Sequence, residues 1–208
     1  MPPQKGQRQA RGLARQDQIL DAAFELFATK GVRATTIAAV AQQAGLSEAG
    51  LLHHFPSKDA LLLAVLHRAD ASLTDLEGWV LAPGGGLASL QRLPATARLL
   101  AEQPLLARLR VMVTAESVVE DGAARHYVQE RTAAIRAAMA GLLADGVRRG
   151  ELRADTDVHA RAAEIVAFME GIQIQWLLHP DQIDLAAAYV SYISALADQI
   201  AAGDRADR

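Results

Sequence analysis

Cysteine is absent from the 208-residue chain, which excludes disulfides and metal sites built on thiolates. Aromatic residues make up only 4% of a sequence that is 51% hydrophobic, so a core must be assembled mainly from Ala, Leu, Val and Ile. Long apolar runs are missing too. The longest, Leu61 to Leu66, falls far short of the roughly 20 residues of a membrane-spanning helix, so no membrane partner is expected. Residues 1–15 are polar and basic without an apolar stretch; no secretory signal is expected, and a cytoplasmic location is. Catalytic patterns are also lacking: there is no H-E-x-x-H, no P-loop and no G-x-G-x-x-G, and the glycine run at 84–86 follows no strand. The adjacent His53 and His54 would project about 100° apart from a helix, which suits them poorly to one metal. The expectation is no catalytic residue, no metal and no cofactor.

What the sequence does have is concentrated between Thr35 and Lys58, TTIAAVAQQAGLSEAGLLHHFPSK. Thr36 is placed to cap a short helix whose apolar face is Ile37, Val40, Ala41 and Ala44. Gly45 follows at the position where a left-handed residue ends a helix, and Leu46 plugs the turn. Ser47 caps a second helix, with Leu51 and Phe55 inward, and Pro56 stops it. Two short helices joined by a tight, glycine-containing turn form a helix-turn-helix.

The net charge of −3 argues against a polyanionic partner, but its distribution reverses that. Residues 1–58 carry seven basic and four acidic residues, a net of +3; residues 59–208 carry 14 basic and 20 acidic, a net of −6. A basic head on an acidic body suits a protein that meets nucleic acid only through its head, although +3 over this length is also compatible with ordinary scatter.

The pattern formed by Ile19, Leu20, Ala22, Ala23, Leu26, Phe27, Gly31, Thr35, Thr36, Ile37, Ala38, Ala44, Gly45, Ser47, Leu51, His54, Phe55 and Lys58 resembles the DNA-binding domain of TetR-family transcriptional regulators. Two positions depart from the family: Ala49 stands where Gly is usual, and Leu52 where a phosphate-contacting Tyr is usual. A weaker resemblance, over GELRADTD and GIQIQWLLHPDQIDL, is to the C-terminal domain of the family's choline-responsive repressor type. The implied protein is all-α, with an N-terminal three-helix helix-turn-helix domain joined by a long helix to a C-terminal helical ligand-binding and dimerisation domain. Four segments are expected: a disordered basic arm (1–15), the helix-turn-helix domain (16–58), the effector-binding and dimerisation domain (59–202) and a tail (203–208).

Within this frame a first helix from about Gln16 to Thr29 presents Ile19, Leu20, Ala23, Phe24 and Phe27, and a long helix runs from Ser57 to about Leu81. Further helices are expected over Leu87–Ala101, kinked or split at Pro94, and over Pro104–Val118, Ala123–Arg149, Val158–Leu178 and Leu185–Ile200. The last two carry wider apolar stripes than one partner helix needs, so they either form a subunit interface or are covered by the chain's own helices.

A recognition helix offers its first residues to base edges, here Ser47, Glu48, Ala49 and Gly50. Glu48 suits a cytosine amino group and Ala49 a thymine methyl. Arg15, Thr35, Thr36, His53, His54 and Lys58 are the backbone-contact candidates, and Leu52 is a DNA-facing position expected to lack the phosphate contact of the usual Tyr. Lys58 lies in the first turn of its helix, where a cation opposes the dipole and a phosphate would compensate. The resemblance also implies a small-molecule effector. Candidate lining residues are Trp79, Met112, Glu116, Tyr127, Phe168, Gln173 and Trp176, each of which also reads as plain core. The scarcity of aromatics disfavours a cage for a quaternary ammonium, so a largely apolar effector is expected. The expected protein is a homodimeric repressor of a palindromic double-stranded DNA operator, released by its effector. The rival is a helical ligand carrier or enzyme retaining a vestigial helix-turn-helix, favoured by Leu52 in place of Tyr.

Overall fold

The computed structural model describes residues 5–71 and 86–202, with side chains from Gly12 onward. The fold is all-α. The helices are α1 (Lys5–Lys30), α2 (Ile37–Gln43), α3 (Glu48–His54), α4 (Lys58–Ala71), α5 (Gly86–Leu90), α6 (Leu93–Ala101), α7 (Pro104–Val119), α8 (Ala123–Arg148), α9 (Val158–Leu178) and α10 (Leu185–Ile200). The only extended pairing among the described residues is an isolated bridge between Leu152 and Ala201. Trp79, the extension of the fourth helix to Leu81 and the tail at 203–208 lie outside the described residues.

The chain divides into two compact units, Met1–Ala71 with Arg108–Tyr127, and Ser72–Ala107 with Val128–Arg208. α4, most of α7 and the start of α8 belong to the first unit. α1 begins at Lys5, within the stretch expected as a basic arm. Ala, Leu, Arg and Gln dominate this stretch and favour helix, no proline stands between Pro3 and the end of α1, and Gly6 and Gly12 each cost only about 1 kcal/mol.

In the first unit, α1 buries Ile19, Ala22, Ala23, Leu26 and Phe27, which recur at helical spacing. Leu20 and Phe24, expected in this stripe, are only half-buried because the inward face is centred one residue away. At the end of α1, Gly31 adopts φ 85°. That backbone favours glycine, and a Cβ there would lie 3.0 Å from Met112 Cε and 3.1 Å from Glu116 Oε1, the side-chain tips of α7. α4 lies along α1, burying Leu61, Leu62, Val65 and Leu66, and Arg68 pairs with Asp21 at 2.8 Å.

In the second unit, α6 and α10 pack along each other, and Leu93, Ala97 and Leu100 of α6 and Leu185, Tyr189, Ile193 and Leu196 of α10 are buried. The stretch expected over Leu87–Ala101 is split just before Pro94, α5 ending at Leu90 and α6 beginning at Leu93. Pro94 lies in the first turn of α6, where its missing N–H costs nothing. Asp157 and Asp184 cap α9 and α10 with side-chain oxygens that accept backbone N–H groups.

Candidate nucleic-acid interface

Local chemistry builds the helix-turn-helix as its sequence suggests. The Thr36 hydroxyl accepts the N–H of Ala39 at 3.1 Å and starts α2. Gly45 leaves α2 at φ 66°, its N–H donating to Gln42 O while Leu46 N–H reaches back to Ala41 O at 2.8 Å. That pair of bonds satisfies carbonyls the helix end would leave open. Ser47 then caps α3 by accepting from Gly50 N at 3.1 Å. A Cβ on Gly50 would lie 3.3 Å from the Ser47 hydroxyl oxygen, so the neighbour that favours glycine there is the cap.

α3 is held from behind by Leu51, which is fully buried, and by Phe55 just beyond its end. Glu48, Ala49, Leu52 and His53 are exposed, and Gly50 and His54 are half-buried. At about 100° per residue, 48, 52, 49 and 53 follow one another around the side away from Leu51. The rings of His53 and His54 meet edge to face at 5.6 Å. Ser57 caps α4 by accepting from Ala60 N at 3.0 Å, and in the following turn Lys58 Nζ donates to Arg33 O at 3.3 Å. Lys58 is therefore anchored beside the α1–α2 corner.

Arg15 is exposed on α1, where it donates to Gln18 at 2.9 Å. Thr35 requires a correction. It is 2% exposed, and its hydroxyl turns inward to the carbonyls of Gly31 at 2.7 Å and Leu26 at 3.3 Å. Its side chain closes the end of α1 and is turned into the interior. In the sequence Arg33 stands out only as one of the basic residues of the head. Its carbonyl receives Lys58, and its exposed guanidinium pairs with Glu120 at 3.3 Å. Its position two residues after Gly31 was the available signal.

The effector-site candidates are divided between the two units. Met112 and Glu116 approach Gly31 in the first. Tyr127, also in the first, donates its hydroxyl to Asp70 and to Leu66 O and meets His67 edge to face at 5.3 Å. In the second unit, Phe168 stacks on Tyr192 at 3.9 Å, Gln173 donates to Ala107 O at 2.9 Å, and Trp176 is buried. Trp79 lies outside the described residues.

Residues 19–65 match the model of bacterial regulatory proteins of the tetR family, and residues 91–202 match the C-terminal domain of BetI-type transcriptional repressors. The transcriptional repressor KstR2 of Rhodococcus jostii is 28% identical over 190 residues, covering 90% of this chain and 91% of the relative. A TetR transcriptional regulator of Chloroflexus aurantiacus has the same fold, with a TM-score of 0.78 at 23% identity over 93% of this chain and all of the other. A transcriptional regulator of Saccharomonospora viridis crystallised with choline superposes with a TM-score of 0.74 at 22% identity, covering 89% of this chain and 97% of that one. These matches span both the capped helix-turn-helix and the second unit, and the chain belongs to the TetR family of helix-turn-helix transcriptional regulators.

Proposed function

We propose that the protein is a homodimeric repressor that holds a palindromic operator through α3 and releases it when a small molecule binds the second unit. The observation that carries this reading is the outward face of α3, Glu48, Ala49, Leu52 and His53, fixed by the caps at Thr36 and Ser47 and flanked by the anchored Lys58. Ser47, Glu48, Ala49 and Gly50 meet base edges, while Arg15, Thr36, His53, His54 and Lys58 serve the phosphate backbone. The carrier or enzyme alternative loses support because the matched relatives are transcriptional regulators.

Dimerisation is supported by apolar surface on α9 and α10. Ile174, Leu178 and Val190 are 41%, 65% and 45% exposed, beside the small exposed residues Ala167, Gly171, Ala187 and Ala195. Small residues admit the close approach of a second helix pair. The C-terminal likeness makes choline the first effector to try. The stacking of Phe168 on Tyr192, which occupies aromatic faces that a quaternary ammonium would need, instead supports a largely apolar effector, with Phe168, Gln173 and Trp176 of α9 as the residues to vary.

Selection of duplexes from a random library by the full-length protein tests the reading. Enrichment of two inverted half-sites about 34–36 Å apart is expected. A library that returns no preferred sequence overturns it. Linkage adds a second test: an effector that weakens operator binding must itself be bound more weakly, by the same factor, when operator is saturating.

A further inference from the structure

We propose that Leu52 and Ala49 form an apolar reader for the 5-methyl group of one thymine in each half-site, so that the protein discriminates by methylation of a pyrimidine as well as by hydrogen bonding. The proposal rests on α3 being the recognition helix. Leu52 is 40% exposed, whereas the core-facing positions of α3 are already filled by Leu51 and, just beyond, Phe55, at 0% and 9%. The fold gives no use for Leu52. A lone exposed leucine is ordinary, but this one shares the outward face with exposed Ala49, three residues before it and so one turn away. Around them stand a carboxylate, Glu48, and an imidazole, His53.

An isobutyl group neither donates nor accepts a hydrogen bond. Set against the amino group of cytosine or adenine, it would displace water and leave that donor unmatched. The major-groove edge of the base pairs offers one apolar group, the C5-methyl of thymine. A Leu–Ala surface in the groove is therefore favourable where that methyl is present. The same contact would accept 5-methylcytosine over cytosine.

The probe is a duplex selected by the full-length protein, with each thymine of the half-site replaced in turn by uracil, which removes only the methyl. Affinity should fall about fourfold at one position, the equivalent of roughly 0.8 kcal/mol for a buried methyl. In Leu52→Ala the thymine-to-uracil ratio at that position should approach one, while Leu52→Met, which stays apolar, should keep most of it. At a cytosine placed there, 5-methylation should strengthen wild-type binding. Leu52 is exposed, so thermal unfolding of both variants should match the wild type. Uracil tolerated at every position, or a ratio unchanged in Leu52→Ala, overturns the methyl reader while leaving the repressor reading intact. Equal losses on thymine and uracil duplexes would also overturn it, by assigning Leu52 a supporting role only. Failure to enrich any duplex would remove both.

Discussion

Thr35 and Thr36 are adjacent and chemically identical, yet their hydroxyls serve different ends. Thr36 accepts from Ala39 N–H at the start of α2, and Thr35 donates from a buried site to Gly31 O, just beyond α1, and to Leu26 O. Thr35→Val keeps the shape and removes the donor, so it should cost about 1 kcal/mol of stability, measured by chemical denaturation, and leave the DNA affinity of the folded protein unchanged. A loss of affinity at constant stability would return Thr35 to the interface. Lys58 differs in kind. Its ammonium is held by Arg33 O but remains half-exposed at the first turn of α4. Lys58→Ala should weaken binding to all duplexes about equally and reduce the slope of log affinity against log salt by about one. A changed sequence preference with the slope intact would exclude a phosphate contact.

At the scale of elements, α9 and α10 meet through aromatic contacts that the period-3.6 pattern did not distinguish from general apolar surface. Phe168 lies flat on Tyr192 and edge-on to Tyr189 at 5.5 Å. Burial raises the Tyr192 phenol above its ordinary pKa, and Glu164 nearby raises it further, against an opposing effect from Arg161. A raised folded-state value means that the neutral phenol is preferred in the native protein. Its contribution is fully present below about pH 10 and is lost as the pH rises through the folded-state value. Tyr192→Phe keeps the stack and has no proton to lose, so urea unfolding above pH 10 should show a shallower decline in stability for the variant than for the wild type. Parallel declines would mean that other groups set the alkaline limit.

At the scale of the whole molecule, the question is which apolar surface stays open in one chain and closes in two. Tyr192 is committed to its stack and Ile172 is half-buried, so a charge at either should disturb the second unit itself. Ile174 and Val190 are exposed. Ile174→Asp or Val190→Asp should therefore yield folded monomers in sedimentation at micromolar concentration, where the wild type should be a dimer. A folded wild-type monomer would leave that surface without a partner of its own kind. Monomers should also lose most operator affinity, since a two-fold operator needs both recognition helices at a fixed separation.

Features whose cause is local are legible in the residues alone. The caps at Thr36, Ser47, Asp157 and Asp184, the turn at Gly45 and the burial of Leu51 each follow from residues within a few positions of one another. The family likeness rests on the same short-range pattern. Tertiary structure decided what depends on neighbours distant in the chain. Periodicity could not tell that Thr35 faces inward, because it lies between helices and its hydroxyl is taken by Gly31 O, just beyond α1, and by Leu26 O within it. Nor could it assign Met112, Glu116 and Tyr127 to the first unit, because a helix stripe states how wide an apolar face is and not what covers it. Leu51 and Leu52 show the same division. Alternation around α3 marks one inward and one outward, but only packing against the other helices leaves Leu52 open to a partner outside the chain.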